Sequence, residues 1–136
     1  WVADDSIWFI TICCEPRGLN QLCHAEVSEL IESSLNFYRE KSQWWPHLAL
    51  AMPDHLHGLF SFAKDAGMSK VIRDWKHFVS YNAGIVWQRD FFDHRLRAGE
   101  SFEEKAAYIR ANPFRKGLIK EDEHWPYLWS WPTLRR

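Results

Sequence analysis

Two apolar runs that meet at one Pro-Asp step constrain this chain more than any other feature. Trp45 to Met52 is short and apolar, His55 to Phe62 follows, and only Pro53-Asp54 separates them. Runs of this length on either side of a turn dipeptide predict two antiparallel strands of a hairpin. A hairpin must bury one face of its pleat, so helices are needed to cover it. Upstream, Ile7 to Cys13 is β-branched and aromatic. It predicts a first strand, buried on both faces.

Helical periodicity supplies the cover. Val27, Leu30, Ile31, Ser34 and Tyr38 share one face of a helix over 26–41, with Glu26, Glu29 and Glu32 outside. Met68, Val71, Ile72, Trp75, Phe78 and Val79 form the apolar face of a second helix over 68–82. Lys70, Arg73, Lys76 and His77 run beside that face as a basic stripe. Phe91 to Arg97 predicts a fourth strand. Ser101-Phe102-Glu103-Glu104 is a capping box that opens a third helix, and Pro113 is expected to end it at Asn112. The tail after Gly117 reads as irregular, with Trp125, Trp129 and Trp131 in it. The order is β-α-β-β-α-β-α, an α+β fold with an antiparallel sheet and helices packed on it, related to the ferredoxin-like pattern. At 136 residues, one domain over 1–136 is expected.

Charge is unevenly spread. The net is −1, yet residues 1–63 hold three Lys/Arg against eight Asp/Glu, and residues 64–120 hold twelve against seven. The basic middle suits a phosphate-facing side as well as a solvated surface. Nine tryptophans predict a tightly packed aromatic core, a stacking surface, or both. Most are expected in the core, and Trp129 and Trp131 are candidates to close over the sheet. Cys13, Cys14 and Cys23 do not form a disulfide pattern, and with His24 they match no closed zinc spacing. No apolar run spans a bilayer and no signal peptide is evident, so a cytoplasmic protein is expected. The chain opens on Trp1, so a segment upstream is expected as well.

Three features could carry chemistry. His55 and His57 point to one face of a strand, with Cα atoms roughly 6–7 Å apart, so their rings can converge on one cation. Two half-buried strand histidines without a metal are the plainer reading. On the third helix Phe102, Ala106 and Ile109 form the apolar stripe, and Tyr108 lies roughly 120° away from it. Asn112 follows at i+4, so a phenol and an amide can enter one site. A surface tyrosine and a helix-terminal Asn explain the same pair. His94 shares a face with Phe92 and Leu96, and a core histidine is favoured there over a catalytic base. Taken together, the features suit phosphoryl transfer. A cation on His55 and His57 would polarise a phosphate, Asn112 would complete the ligands, and Tyr108 would attack phosphorus. Lys and Arg would hold the backbone.

At these residues the chain resembles a known family. Met52-Pro53-Asp54-His55-Leu56-His57-Gly58-Leu59-Phe60 resembles the HUH motif (His, hydrophobe, His) of the single-tyrosine transposases. Trp87 to Arg97 resembles the WQ…FyDHxiR segment of their REP-associated branch, and Tyr108 to Ile119 resembles its YIxxNPvrAGLv block. The chain departs from that block at Phe114-Arg115-Lys116, where Ala-Gly is the commoner ending. The resemblance implies an HUH endonuclease fold, with Tyr108 as nucleophile and His55 and His57 as ligands of Mg²⁺ or Mn²⁺. Asn112 is implied as a further polar ligand. It implies nicking and strand transfer of single-stranded DNA at hairpin-forming repetitive extragenic palindromes, through a 5′-phosphotyrosine. A monomer is expected, with a dimer as alternative, acting on the bacterial nucleoid and not at a membrane.

For DNA contacts the basic stripe nominates Lys70, Arg73 and Lys76, with Arg95 beside them. The main alternative is a domesticated DNA-binding protein that keeps the fold without moving DNA. A histidine-triad phosphoesterase would need a third histidine where Leu59 stands, and it leaves Tyr108 and Asn112 unexplained. An aromatic-rich interaction domain would bind no metal.

Overall fold

The computed structural model describes residues 6–97 and 99–132, so Trp1 lies outside the described residues. The elements are β1 (Trp8–Cys13), α1 (Ala25–Glu40), β2 (Trp44–Met52), β3 (His55–Phe62), α2 (Met68–Ala83), β4 (Phe92–Arg95), α3 (Phe102–Arg110), α4 (Asn112–Arg115) and β5 (Leu128–Ser130). The strands form one sheet in the order β4-β1-β3-β2-β5. Every neighbouring pair is antiparallel. The Pro53-Asp54 step joins β2 to β3, so the expected hairpin lies at the sheet centre, flanked by β1.

Pleating divides the sheet into two faces. Ile10, Ile12, Ala49, Leu56, Phe60 and Phe62 pack with Ile31, Leu35, Val71, Ile72, Trp75 and Val79 beneath α1 and α2. Trp44 and Trp75 are fully buried there. Their indole N–H groups donate to the Leu35 carbonyl at 3.1 Å and the Ser34 hydroxyl at 2.8 Å, so neither ring leaves a polar atom unpaired. On the opposite face Leu48, Leu50, Met52 and Leu59 pack with Ala106 and Ile109 of α3. This second, smaller core holds α3 over the hairpin. Ser101 caps α3 as expected, its hydroxyl accepting from the Glu104 N–H at 3.2 Å.

Four local expectations need correction. Residues Ile10 and Ile12 of β1 are buried, whereas Trp8, Phe9, Thr11 and Cys13 are half-buried, so β1 is buried on one face only. The fourth strand is shorter than 91–97, because only Phe92–Arg95 pairs with β1. The third helix ends at Arg110 and restarts as α4, with Pro113 in the first turn, where a missing N–H costs no hydrogen bond. The tail is not wholly irregular: Leu128–Ser130 adds β5 alongside Leu48, Ala49 and Leu50. Trp129 packs on the α1/α2 side, and the Trp131 indole donates to the Asn36 amide oxygen of α1 at 2.8 Å.

Candidate active site

The site begins with the pleat of β3. His55 and His57 face the α3 side, opposite Cys13 and Thr11 on β1 and Met52 and Leu50 on β2. Their ring centroids are 4.4 Å apart, the planes 78° from parallel. The two Nε2 atoms face each other at 3.0 Å. Each outer nitrogen is held. Nδ1 of His55 lies 2.8 Å from Asp54 Oδ1, and Nδ1 of His57 lies 2.9 Å from the Thr11 hydroxyl.

Asp54, the turn residue, is itself tied down. Arg17 Nε donates to it at 2.9 Å and the Gly18 N–H at 2.8 Å. Burial would raise its carboxyl, but the hydrogen bonds from Arg17, His55 and Gly18 outweigh burial and hold it well below the usual carboxylate range. Burial pushes His57 down to about 3, with His55, Arg115, Arg17 and Lys116 adding to the effect. Burial lowers His55 too, against the opposing pull of Asp54. Both imidazoles are therefore neutral at neutral pH.

The hydrogens follow from these partners. An ionised Asp54 only accepts, so His55 carries its hydrogen on Nδ1 and presents a bare Nε2. His57 then donates through Nε2 and accepts from Thr11 at Nδ1. A threonine hydroxyl also accepts, so His57 can move its hydrogen to Nδ1 and free its Nε2 lone pair. The pair can thus offer two lone pairs to one small cation, each ring oriented by an outer hydrogen bond. Among the described residues no group of three or more His, Cys, Asp or Glu gathers to hold a metal. A cation here would therefore take its next protein ligand from an amide or hydroxyl. Asn112 opens α4 at 3% exposure.

Tyr108 projects from α3 at 53% exposure, while Ala106 and Ile109 anchor the helix below it. One phenyl ring links it to the histidines: Phe9 lies 5.6 Å from the His57 ring and 6.3 Å from the Tyr108 ring. Arg115 of α4 stacks over the phenol, its Cζ 4.0 Å from the ring centroid. The same guanidinium donates to the Tyr108 carbonyl at 3.0 Å. The break between α3 and α4 thus folds a cation back over the tyrosine.

No family model matches the chain. A REP-associated tyrosine transposase of Escherichia coli K12 is 24% identical over 88% of this chain and 73% of its own length. A protein provisionally given the same name in Haemophilus influenzae is 22% identical over 89% of this chain and 77% of its own length. Among solved structures, a REP-associated tyrosine transposase bound to a REP hairpin superposes with a TM-score of 0.79, at 21% identity, over 90% of this chain and 75% of that one.

The chain is similar to the REP-associated tyrosine transposases.

Within this fold, the residues nominated from sequence fall into two groups. His55, His57, Tyr108 and Asn112 lie on β3, α3 and α4, on one side of the sheet. The four basic nominees lie elsewhere. Lys70 pairs with Asp74 at 2.7 Å, and Arg73 lies 3.9 Å from the same carboxylate. The Lys76 ammonium turns inward and donates to the Gln88 and Arg89 carbonyls at 2.8 and 3.1 Å. Arg95 faces the α1/α2 side of the edge strand, opposite Trp8. The helical stripe is real, but it borders the face away from Tyr108.

The cations beside the histidine pair are instead Arg17, Arg115 and Lys116. Arg115 and Lys116 stand directly after Asn112-Pro113-Phe114, and that adjacency is the signal that could have found them. Arg17 is in a loop, and nothing in the sequence announces its ion pair with Asp54. His94 is not a core histidine: it is half-buried and lies 3.1 Å from a Glu100 carboxylate oxygen. Cys13, Cys14 and Cys23 are all free thiols. Cys14 lies in the α1/α2 core, its thiol pushed up to about 12 by burial, which suits packing and not metal binding. No helix among the described residues is long and apolar enough to cross a membrane.

Proposed function

We propose that this chain cuts and rejoins single-stranded DNA beside a hairpin, using Tyr108 as nucleophile. The observation that carries this reading is the facing Nε2 pair of His55 and His57 on the same side of the sheet as the exposed Tyr108, with Phe9 between them. His55, His57 and Asn112 would hold a Mg²⁺ or Mn²⁺ ion, which would supply Lewis-acid polarisation of the scissile phosphate. The relative that was solved with a REP hairpin supports hairpin DNA as the substrate.

The chain's own residues account for the rest. Tyr108 attacks phosphorus through its phenolic oxygen and loses its proton to solvent. The bond to the 3′-oxygen breaks, and that oxygen leaves as a hydroxyl after taking up a proton. A 5′-phosphotyrosine remains. One phosphodiester replaces another, so attack by a 3′-hydroxyl on the adduct reverses the step and restores the tyrosine. Arg115 fixes the phenol from above and, with Lys116, presents positive charge to the strand. Arg17 and Asp54 hold His55 in its ligating tautomer. The protein is proposed to act as a monomer, in the cytoplasm on the nucleoid.

The test is a cleavage assay on hairpin DNA with single-stranded flanks, with Mn²⁺ or Mg²⁺, resolved on a denaturing protein gel. A protein–DNA adduct is expected that Tyr108→Phe and His57→Ala both abolish. Hairpin binding without any adduct would replace this reading with that of a non-mobilising DNA-binding protein. Metal-dependent cleavage by Tyr108→Phe would remove the tyrosine from the chemistry.

A further inference from the structure

Beside Tyr108 a cleft of about 630 Å³ opens between β4 and α3. Phe9 and Phe92 form one wall, edge to face with centroids 6.4 Å apart. Phe92 is 59% exposed. Tyr108 forms the inner end. The other wall is polar. The His94 ring lies 3.1 and 3.2 Å from the two Glu100 carboxylate oxygens, and the Arg97 N–H donates to the same carboxylate at 2.7 Å. Glu104 and Lys105 line the cleft as well, Lys105 at 3.9 Å from Glu100.

We infer that this cleft takes one unpaired nucleobase, that of the nucleotide beside the scissile phosphate. The inference rests on Tyr108 being the nucleophile and names a subsite of that same centre. The two flanks of Tyr108 differ in charge. Arg115 and Lys116 stand toward the histidines, where a phosphate is welcome. Glu100 and Glu104 outnumber Lys105 in the cleft, so a phosphate is less welcome there than a neutral base. Exposed phenyl rings supply stacking surface for any base. Carboxylate oxygens only accept, so they select base edges that donate hydrogens. Adenine, cytosine and guanine carry an exocyclic amine that can meet Glu100 or Glu104. Thymine carries none and offers only its ring N3–H, flanked by two carbonyl oxygens that a carboxylate repels, so it is the disfavoured occupant. Because Tyr108 lines the cleft itself, a base lodged there fixes which phosphate lies against the phenol.

The probe is a hairpin oligonucleotide with a single-stranded flank, made with a normal base, an abasic site or 2-aminopurine at the nucleotide next to the cut. Removing the base is expected to lower adduct formation by about tenfold in the wild type. Phe92→Ala is expected to lower it similarly on the intact strand and to show no further loss on the abasic one. Phe92→Trp keeps a stacking ring and should restore the wild-type response, which separates stacking from damage to the fold. In Glu100→Gln the discrimination against thymine should shrink. Equal adduct formation on intact and abasic strands would overturn the subsite and leave the nicking reading standing. If no strand gives an adduct, the nicking reading fails, and the 2-aminopurine strand still decides the subsite. Quenching on binding that Phe92→Ala removes supports it, and unchanged fluorescence or no binding overturns it.

Discussion

Nε2 of His55 and Nε2 of His57 point at each other across 3.0 Å, while each Nδ1 is held by a different partner. Two neutral imidazoles gain one hydrogen bond from that arrangement. A cation between them would gain two ligands. Mn²⁺ at about 100 times its Kd should therefore stabilise the fold by about 2.7 kcal/mol, a rise of roughly 10 °C in Tm. His57→Ala should abolish the rise and a chelator should reverse it. A thermal melt that Mn²⁺ leaves unmoved would count against the site as a metal site.

Asp54 acts on the site only through His55. Asp54→Asn keeps an acceptor for the Nδ1 hydrogen but removes the charge that Arg17 and Gly18 hold in place. Metal affinity should fall about 10- to 100-fold while the fold persists. Titration with Mn²⁺ followed by electron paramagnetic resonance measures this directly, and Arg17→Ala should give a smaller loss in the same direction.

Arg115 stacks on the Tyr108 ring and holds its carbonyl with one guanidinium. Arg115→Ala frees the phenol from both contacts, and the rate of adduct formation should drop about 100-fold. Lysine should not rescue it, because an ammonium lacks the planar face that lies over the ring. The ratio of rates for Arg115→Lys and Arg115→Ala is the quantity to compare.

Acid should destabilise the fold through His47. This residue of β2 is 3% exposed, its Nε2 lies 2.9 Å from the Ser61 hydroxyl, and its Nδ1 has no partner. Burial pushes it down to about 4. An unfolded chain takes up that proton near pH 6.5, so the native state binds fewer protons between the two values. The contribution is complete above about pH 6.5 and is lost as pH falls toward 4, by on the order of 3 kcal/mol. Urea unfolding of wild type and His47→Leu at pH 7.5 and pH 4.5 checks this: the wild type should lose more than the variant.

Gly58 stands between the two working residues of β3 and the core behind them. A Cβ there would strike the Phe60 ring and lie 2.9 Å from the Leu48 carbonyl oxygen. Gly58→Ala should cost about 1–3 kcal/mol and lower Tm by on the order of 5 °C. Phe60→Leu in the same chain should recover part of the loss, read in the same melt.

The hairpin, the two long helices and the convergence of His55 with His57 were legible because each rests on a short-range period. An alternating strand puts i and i+2 together whatever surrounds it, and Tyr108 was placed off the apolar stripe of α3 by the same arithmetic. The residues that escaped depend on tertiary approach. Arg17 meets Asp54 from 37 positions away. Lys76 matched the pattern of a free basic stripe, but the carbonyls of Gln88 and Arg89 bend back to meet it. A helical wheel cannot show such a partner. A proline inside a helix breaks it, so the sequence alone makes Pro113 a stop, yet in the first turn of α4 it begins a helix. Residues Leu128–Ser130 became a strand because β2 had an open edge, a property of the sheet and not of that segment.

The central claim is that Tyr108 becomes covalently joined to DNA, and mass spectrometry tests it most directly. After reaction with hairpin DNA and Mn²⁺, nuclease trimming and trypsin, Tyr108 lies in the peptide Ala106-Ala107-Tyr108-Ile109-Arg110. The account predicts a residual nucleotide on that peptide, attached at the tyrosine. A nucleotide on the exposed Tyr81, or cleaved DNA with no modified peptide at all, would contradict it.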